Sequence, residues 1–238
     1  MRIEVLYPEV GNLCGDLMNV RYLQQCCPAL EVVETGLKDR PAFVDGGVSL
    51  LYLGTATERG MQLIVQALEP WKEQLAAYVD GGGLMLATGN ALDVLGAYVM
   101  VDGKRAFDGL GLLPTHAEYH MMKRHNSFML GSFQDMAIVG FKSLFGHSYP
   151  DDELAYPLFQ VERGVGRHPG SFTEGFHRGG LLATYLTGPL LPLNPPFTRW
   201  LLEQMGVEQP QIAFEETAMR AYEARVEEFR DESRNYQY

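Results

Sequence analysis

The sequence predicts an α/β fold with a doubly wound, mostly parallel sheet and antiparallel edge strands. Over residues 1–95, short apolar runs alternate with segments of helical periodicity, and this alternation is typical of a parallel sheet that helices cover on both faces. After Gly96 the predicted strands become shorter and are separated by Gly and Pro. This second observation indicates antiparallel strands that extend the edge of the sheet.

The first half of the chain predicts most of the parallel sheet. Ile3, Val5 and Tyr7 alternate with other residues and predict the first strand. Asp16 is expected to cap the helix that follows. Further strands are predicted at 31–37, 48–53 and 84–87, and helices at 57–78 and from residue 90 onwards. Pro70 is expected to divide the helix at 57–78, because proline interrupts the helical hydrogen-bond ladder.

The second half predicts shorter strands, one late core strand and two helices. Strands are expected at 98–101, 116–122, 128–133, 137–141, 159–162 and 181–186, and helices at 196–205 and 211–233. We therefore divide the chain into one domain, 1–208, and a C-terminal amphipathic helix within 209–238. This helix either folds back on its own sheet or holds a partner or a second copy of the chain. Its apolar positions are Ile212, Phe214, Met219, Tyr222, Val226 and Phe229.

Composition excludes several classes of protein. The chain has 238 residues, of which 46% are hydrophobic, so it can form a proper core. Lys plus Arg is 19 and Asp plus Glu is 30, and the net charge of −11 disfavours nucleic acid as a partner. No apolar run is long enough to span a membrane. Three cysteines make no disulfide framework, so we expect a reduced, cytoplasmic protein.

The stretch LMLATGNA, residues 84–91, runs from a predicted buried strand into a helix through a sharp turn. Such a turn presents a nucleophile at the carboxyl end of a sheet, where Cys or Ser acts with a His. The residues at its tip are Thr88 and Gly89, and glycine has no nucleophile. A plain turn that takes glycine for steric reasons is therefore the alternative. No cysteine follows a core strand at a turn, so a catalytic thiol is not expected.

Two polar clusters have competing interpretations. His116, Glu118 and His120 share one face of a predicted strand and resemble a set of metal ligands. Ordinary surface residues explain them better, and we predict no metal site. The basic triplet 123–125 either holds a carboxylate or is a solvated turn.

Three sequence blocks resemble the family of the glutaminase subunits of lipid II isoglutaminyl synthase, which are class I glutamine amidotransferases of the cobyric acid synthase type. The blocks are LYPEVGNLCGDLMNV at 6–20, LATGNALDVLG at 86–96 and ATYLTGPLLPLNP at 183–195. The resemblance covers roughly residues 3–205. It implies a class I amidotransferase fold with flavodoxin-like layers, no cofactor, and a Mur-ligase-like synthetase as partner in peptidoglycan biosynthesis for the cell wall.

The same resemblance implies that the site is degenerate. The nucleophilic Cys of the family falls on Gly89 and its catalytic His on Thr187, while Thr88 is a weak substitute nucleophile. The family's glycine-rich loop is replaced by LGTAT at 53–57, which contains Gly54. An arginine that binds glutamine falls on Lys123 or Arg124.

The function expected from these departures is that of a pseudoenzyme. The chain would act as a binding or scaffold subunit without glutaminase activity, since glutamine hydrolysis needs a thiolate and an imidazole. The alternative is an active amidotransferase that supplies ammonia for peptidoglycan or cobyric acid amidation through unrecognised residues. A homo-oligomer, and the binding of glutamine or another small amide, are also left open.

Overall fold

The computed structural model describes residues 1–152 and 156–234. Its strands, in chain order, are β1 (Arg2–Leu6), β2 (Glu31–Thr35), β3 (Leu50–Leu53), β4 (Met85–Thr88), β5 (Tyr98–Val101), β6 (Lys104–Asp108), β7 (Thr115–Tyr119), β8 (His125–Phe133), β9 (Met136–Leu144), β10 (Gly146–Pro150), β11 (Phe159–Gly164), β12 (Thr173–Glu174), β13 (Phe176–Arg178) and β14 (Leu181–Thr184). Its helices are α1 (Met18–Cys26), α2 (Glu58–Leu68), α3 (Lys72–Asp80), α4 (Ala91–Leu95), α5 (Leu190–Leu193), α6 (Pro195–Gln204) and α7 (Glu215–Arg230).

The main sheet confirms the predicted fold class. Its strand order is β13-β14-β4-β3-β1-β2, and every neighbouring pair is parallel except β13 and β14. Successive side chains of a strand point to opposite faces. In β3, Leu50 and Tyr52 belong to one buried cluster, which includes residues of α1 and α6, whereas Leu51 and Leu53 belong to another, which includes residues of α2, α3 and α4. Helices therefore cover both faces of the sheet.

Pro70 divides the helical segment as predicted. A single 3-10 turn, Glu69–Trp71, separates α2 from α3. Thr57 caps α2, because its side chain accepts a hydrogen bond from the backbone N–H of Gly60 at 3.0 Å. Both helices then present apolar side chains to the same face of the sheet.

Most of the antiparallel strands lie elsewhere than the sequence predicted. Only β13 extends the main sheet, while the others form two further sheets with the orders β10-β7-β5-β6 and β12-β11-β8-β9. The sequence analysis missed β6, which pairs with β5 through a tight turn at Asp102 and Gly103, both with positive φ. An Asp-Gly pair is a strong hairpin signal. Half-exposed strands do not indicate which neighbour they pair with, so the sheets could not be separated from pattern alone.

The C-terminal helix is shorter than predicted and packs on β8 and β9. It begins after Phe214, so Ile212 and Phe214 precede it. Val226 and Phe229 are buried against this sheet, and the Tyr222 hydroxyl donates a hydrogen bond to the carbonyl of Ala137 at 2.9 Å. Within the described residues, no helix combines the length and the apolar character that a membrane span requires.

Candidate functional site

A sharp turn between β4 and α4 lies at the carboxyl edge of the main sheet. Gly89 has φ of +60°, a left-handed conformation that side chains disfavour. The amide of Asn90 fixes the neighbouring loop, since its oxygen accepts from the N–H of Ala56 at 2.9 Å and its nitrogen donates to the carbonyl of Ala56 at 2.8 Å. The turn thus places Gly89 at the tip of a strand–helix elbow.

The space beside Gly89 is already occupied. A Cβ atom built on Gly89 would lie 1.9 Å from Thr55 Oγ1, 2.9 Å from Thr55 Cβ and 3.0 Å from Thr187 Cγ2. Contacts under 3.0 Å are essentially never seen for real Cβ atoms. Any side chain at position 89 would therefore have to displace Thr55.

A buried hydrogen-bond network holds Thr55 in this place. Asp16 Oδ2 accepts hydrogen bonds from Thr55 Oγ1 at 2.5 Å, from Thr55 N at 2.7 Å and from Thr88 Oγ1 at 2.9 Å. Burial raises the pKa of the Asp16 carboxyl, while the hydrogen bonds from Thr55 and Thr88 act in the opposite direction. The prediction that Asp16 caps α1 is wrong, because its carboxylate binds these threonines and α1 has no side-chain cap.

The same network encloses the hydroxyl of Thr88. Thr88 is fully buried, and its Oγ1 contacts the hydroxyl of Tyr52 at 2.8 Å as well as Asp16. The hydroxyl of this proposed substitute nucleophile therefore lies within a buried network. Gly54 is also buried behind the turn, where a Cβ would lie 2.5 Å from the carbonyl oxygen of Gly11. Glycine at this position allows two loops to approach closely.

A recess of about 200 Å³ opens in front of Gly89. Thr187 forms part of its wall, and the backbone N–H of Thr187 donates to the carbonyl of Phe141 at 2.9 Å. The side chain of Arg124 reaches the recess, stacks on the Phe145 ring at 4.4 Å and donates to Ser143 Oγ at 3.2 Å. Lys123 is not among the residues that line it. Of the two candidates for holding a carboxylate, the geometry therefore favours Arg124.

The sequence analysis missed Cys14, which lines the same recess. Cys14 is exposed and has φ of +59°. Burial of the sulfur and the charge of Asp16 raise the pKa of its thiol, against smaller opposing effects from Thr187 and Arg124. A thiol therefore lies beside the elbow, although no cysteine follows a core strand at a turn. The loops after β1 and β4 both leave the carboxyl edge of a parallel sheet, which was the signal that these segments meet.

The recess has no imidazole, and the suspected metal ligands lie elsewhere. Among the described residues, those that line it include no histidine. The ring of His116 contacts Asp151 (Nδ1 to Oδ1, 2.5 Å) and stacks between Tyr98 and Tyr149. Over residues 1–152 and 156–234, no group of three or more His, Cys, Asp or Glu is placed to hold a metal ion.

Comparisons with known proteins show the family to which this chain is similar. Residues 2–195 match the family model of the CobB/CobQ-like glutamine amidotransferase domain. The chain is 29% identical over 209 residues to the lipid II isoglutaminyl synthase (glutamine-hydrolyzing) subunit GatD of Staphylococcus aureus (strain N315), with 86% of this chain and 83% of that protein covered. It is 24% identical over 202 residues to the subunit of the same name from Streptococcus pneumoniae (strain ATCC BAA-255 / R6), with 82% and 76% covered.

Solved structures show the same fold at low sequence identity. A glutamine amidotransferase crystal structure aligns with a TM-score of 0.58 at 14% identity, covering 86% of this chain and 99% of that one. A glutamine amidotransferase from Thermotoga maritima aligns with a TM-score of 0.52 at 10% identity, covering 95% and 97%. At these identities the likeness is one of fold alone.

Proposed function

This chain belongs to the CobB/CobQ-like glutamine amidotransferase family, and we propose that it is a subunit without glutaminase activity. It would act as a cytoplasmic binding or scaffold partner of a Mur-ligase-like synthetase in peptidoglycan biosynthesis. The observation that carries the proposal is the position of Thr55, whose Oγ1 lies 1.9 Å from where a Cβ of residue 89 would be. The nucleophile is absent, and another side chain fills its space.

The chemistry of amide hydrolysis supports this proposal. The reaction requires a thiolate that attacks the amide, a base that carries its proton, and N–H donors for the developing oxyanion. Gly89 and Thr187 supply neither nucleophile nor base. The backbone N–H of Thr55, near the turn, is already bonded to Asp16 at 2.7 Å. The elbow residues Gly89 and Thr187 therefore leave the first two requirements unmet, and one nearby N–H donor is already engaged.

The proposal is tested by measuring glutamate release from glutamine, with the purified protein alone and with a co-expressed Mur-ligase-like synthetase. We expect no release above background in either case. Release at about 1 per second or faster, an ordinary enzymatic rate, would refute the loss of activity. Co-purification of the two chains at a fixed ratio is the separate test of the partnership, and a homo-oligomer without the synthetase would contradict it.

Cys14 favours a second candidate function, that of an active amidotransferase or another amide hydrolase. Its thiol lines the recess with Arg124, which can bind the carboxylate of glutamine. If this candidate is correct, wild-type protein releases glutamate and Cys14→Ser abolishes the release. Cys26→Ser is the matched control, because Cys26 is buried in α1 outside the recess. Equal activity of Cys14→Ser and wild type would exclude Cys14 as the nucleophile.

A further inference from the structure

A groove of about 420 Å³ lies between α6, the segment before α7 and the turn between β8 and β9, away from the residues of the elbow recess. Its lining is largely apolar. The apolar side chains that form it are Trp200, Met136, Ile212, Met219, Pro195 and Pro196. A second recess of about 430 Å³ continues further along α7, contains Tyr222 and Val226, and shares Asp135 with the first.

Phe214 is an exposed apolar side chain that lies, in the chain, between two residues of the groove. It is 72% exposed and adopts φ of +55° directly before α7, between Ile212 and Glu215, which both line the groove. A large apolar side chain in a left-handed conformation is unfavourable twice, once for its backbone and once for its exposure to water. Within the described residues, most of the surface of this ring remains open to solvent.

The rim of the groove is acidic. Asp135, Glu203 and Glu215 line the first recess, and Glu223 and Glu227 line the second. The cation of the first recess, Arg199, is already engaged with Glu215 at 2.5 Å and with the carbonyl of Pro210 at 2.6 Å. Over the part of the chain that the structure describes, no ion pair joins Asp135, Glu203, Glu223 or Glu227 to a cation. Arg230 also lines the second recess, so one cation stands against these four carboxylates and the net charge of this surface is negative.

We propose that the groove beside α7 is a docking site for a basic amphipathic helix of a partner polypeptide. Apolar side chains of that helix pack on Trp200, Met219 and Phe214, while its Lys and Arg side chains contact the acidic rim. Docking of one amphipathic helix into a groove beside others is a common mode of recognition. A second copy of this chain fits worse, because its net charge of −11 opposes contact with an acidic surface. The proposal is independent of whether the elbow is active.

Trp200 provides a direct readout, because it is one of two tryptophans in the chain. In a Trp71→Phe background, Trp200 fluorescence is followed during titration with a synthetic 15-residue helical peptide of Leu and Lys. A peptide of the same pattern with Glu in place of Lys is the control. We expect saturable binding of the Lys peptide that weakens as salt is raised, and no binding of the Glu peptide.

Reversing the charge of acidic residues at the groove tests whether the Lys peptide binds there. Glu203→Lys/Glu223→Lys should weaken the affinity for the Lys peptide by about tenfold or more, as expected for the loss of contacts between oppositely charged groups. The matched control, Glu34→Lys/Glu73→Lys, makes the same change of charge at exposed positions outside the groove and should weaken it less than about threefold. Phe214→Ser, a change at an exposed position, tests the apolar contribution and should also weaken binding.

Three results would overturn the proposal. One is an unchanged Trp200 signal with the Lys peptide at millimolar concentration. Another is equal weakening by the groove pair and the control pair, which would reveal attraction to the net charge alone. The third is a dimer in light scattering that dissociates in Glu203→Lys/Glu223→Lys, because the groove would then bind a second copy.

Discussion

Replacing Gly89 with alanine should reduce the free energy of unfolding by at least about 3 kcal/mol, the low end of the summed backbone, packing and hydrogen-bond contributions and well beyond the usual cost of a side chain in the left-handed region. That conformation, at φ of +60°, costs about 1 kcal/mol relative to glycine. The added methyl also meets Thr55 Oγ1 at 1.9 Å. Inserting an extra carbon into a closely packed site costs roughly 1–3 kcal/mol, and moving Thr55 aside breaks its hydrogen bond to Asp16, worth about 1 kcal/mol more.

Gly111 provides the matched control for this substitution. Its φ is +64°, and the nearest atom to a Cβ built there is Lys72 Nζ at 3.9 Å, an ordinary contact. Gly111→Ala should therefore show the conformational cost alone, about 1 kcal/mol. For a chain of this size, 1 kcal/mol corresponds to roughly 2–4 °C in Tm, so Gly89→Ala should lower Tm by roughly 6–12 °C. Urea denaturation followed by circular dichroism gives the free energies directly.

A double-mutant cycle assigns the excess cost to Thr55. In a Thr55→Gly background the obstructing atoms are gone, so Gly89→Ala should cost only about 1 kcal/mol. The expected coupling between positions 55 and 89 is therefore about 2 kcal/mol. Equal costs for Gly89→Ala and Gly111→Ala, or a coupling near zero, would show that Thr55 does not fill the nucleophile's space. The proposed loss of activity would then have no steric basis.

Three further predictions concern Cys14, His147 and α7. N-ethylmaleimide should label the exposed Cys14 before the buried Cys26, as measured by peptide mass spectrometry. The rate of Cys14 labelling should rise above pH 9, because partial burial of the sulfur raises the pKa of this thiol. Faster labelling of Cys26 would contradict the exposure of Cys14. Burial, with the charges of His125, Lys142 and His168 nearby, lowers the pKa of His147 from 6.5 to about 4. The folded state therefore favours the neutral ring, and stability is lost as pH falls from 6.5 towards 4. The difference in unfolding free energy between pH 7 and pH 5 should be smaller in His147→Gln than in wild type, and an unchanged difference would exclude His147 as its source. Truncation after Val207 should lower the Tm measured by circular dichroism, because it removes Val226 and Phe229 from a buried cluster. A truncated protein with unchanged Tm and unchanged assembly in light scattering would show that α7 is dispensable.

The parallel half of the fold was readable from the sequence because fully buried strands carry a strong local signal. All four residues of β3 and of β4 are buried, which requires the continuous apolar runs seen in the sequence. The division of α2 from α3 at Pro70 was equally local. The partition of the later strands into separate sheets depends on which half-exposed strands pair. A case is the parallel pairing of β5 with β7, although β6 lies between them in the chain.

Only part of the site could be predicted from the sequence, because one of its features is a contact between distant segments. The proposed loss of the nucleophile and of the base rests on two single residues of the sequence, Gly89 and Thr187. The filling of the vacated space by Thr55 is a matter of side-chain direction, set by Asp16, which lies 39 positions away in the chain. The position of Thr55 therefore distinguishes an elbow that still has room for a nucleophile from one that does not. In an open elbow, mutation of the glycine to cysteine would give an accessible thiol. Where the glycine is packed against a hydrogen-bonded threonine, the same mutation would not.

Cysteine substitution at Gly89 tests this distinction directly. Gly89→Cys should leave the new side chain in conflict with Thr55, and the variant should lose stability as Gly89→Ala does. Gly89→Cys/Thr55→Gly removes that conflict and exposes the new thiol to the recess, which Cys14 already lines. In a Cys14→Ser background, alkylation at residue 89 should therefore be slow with Thr55 present and fast with Thr55→Gly. Equal alkylation rates would mean that the elbow accepts a nucleophile as it stands, and Thr55 would then be no part of the difference between this site and an active one.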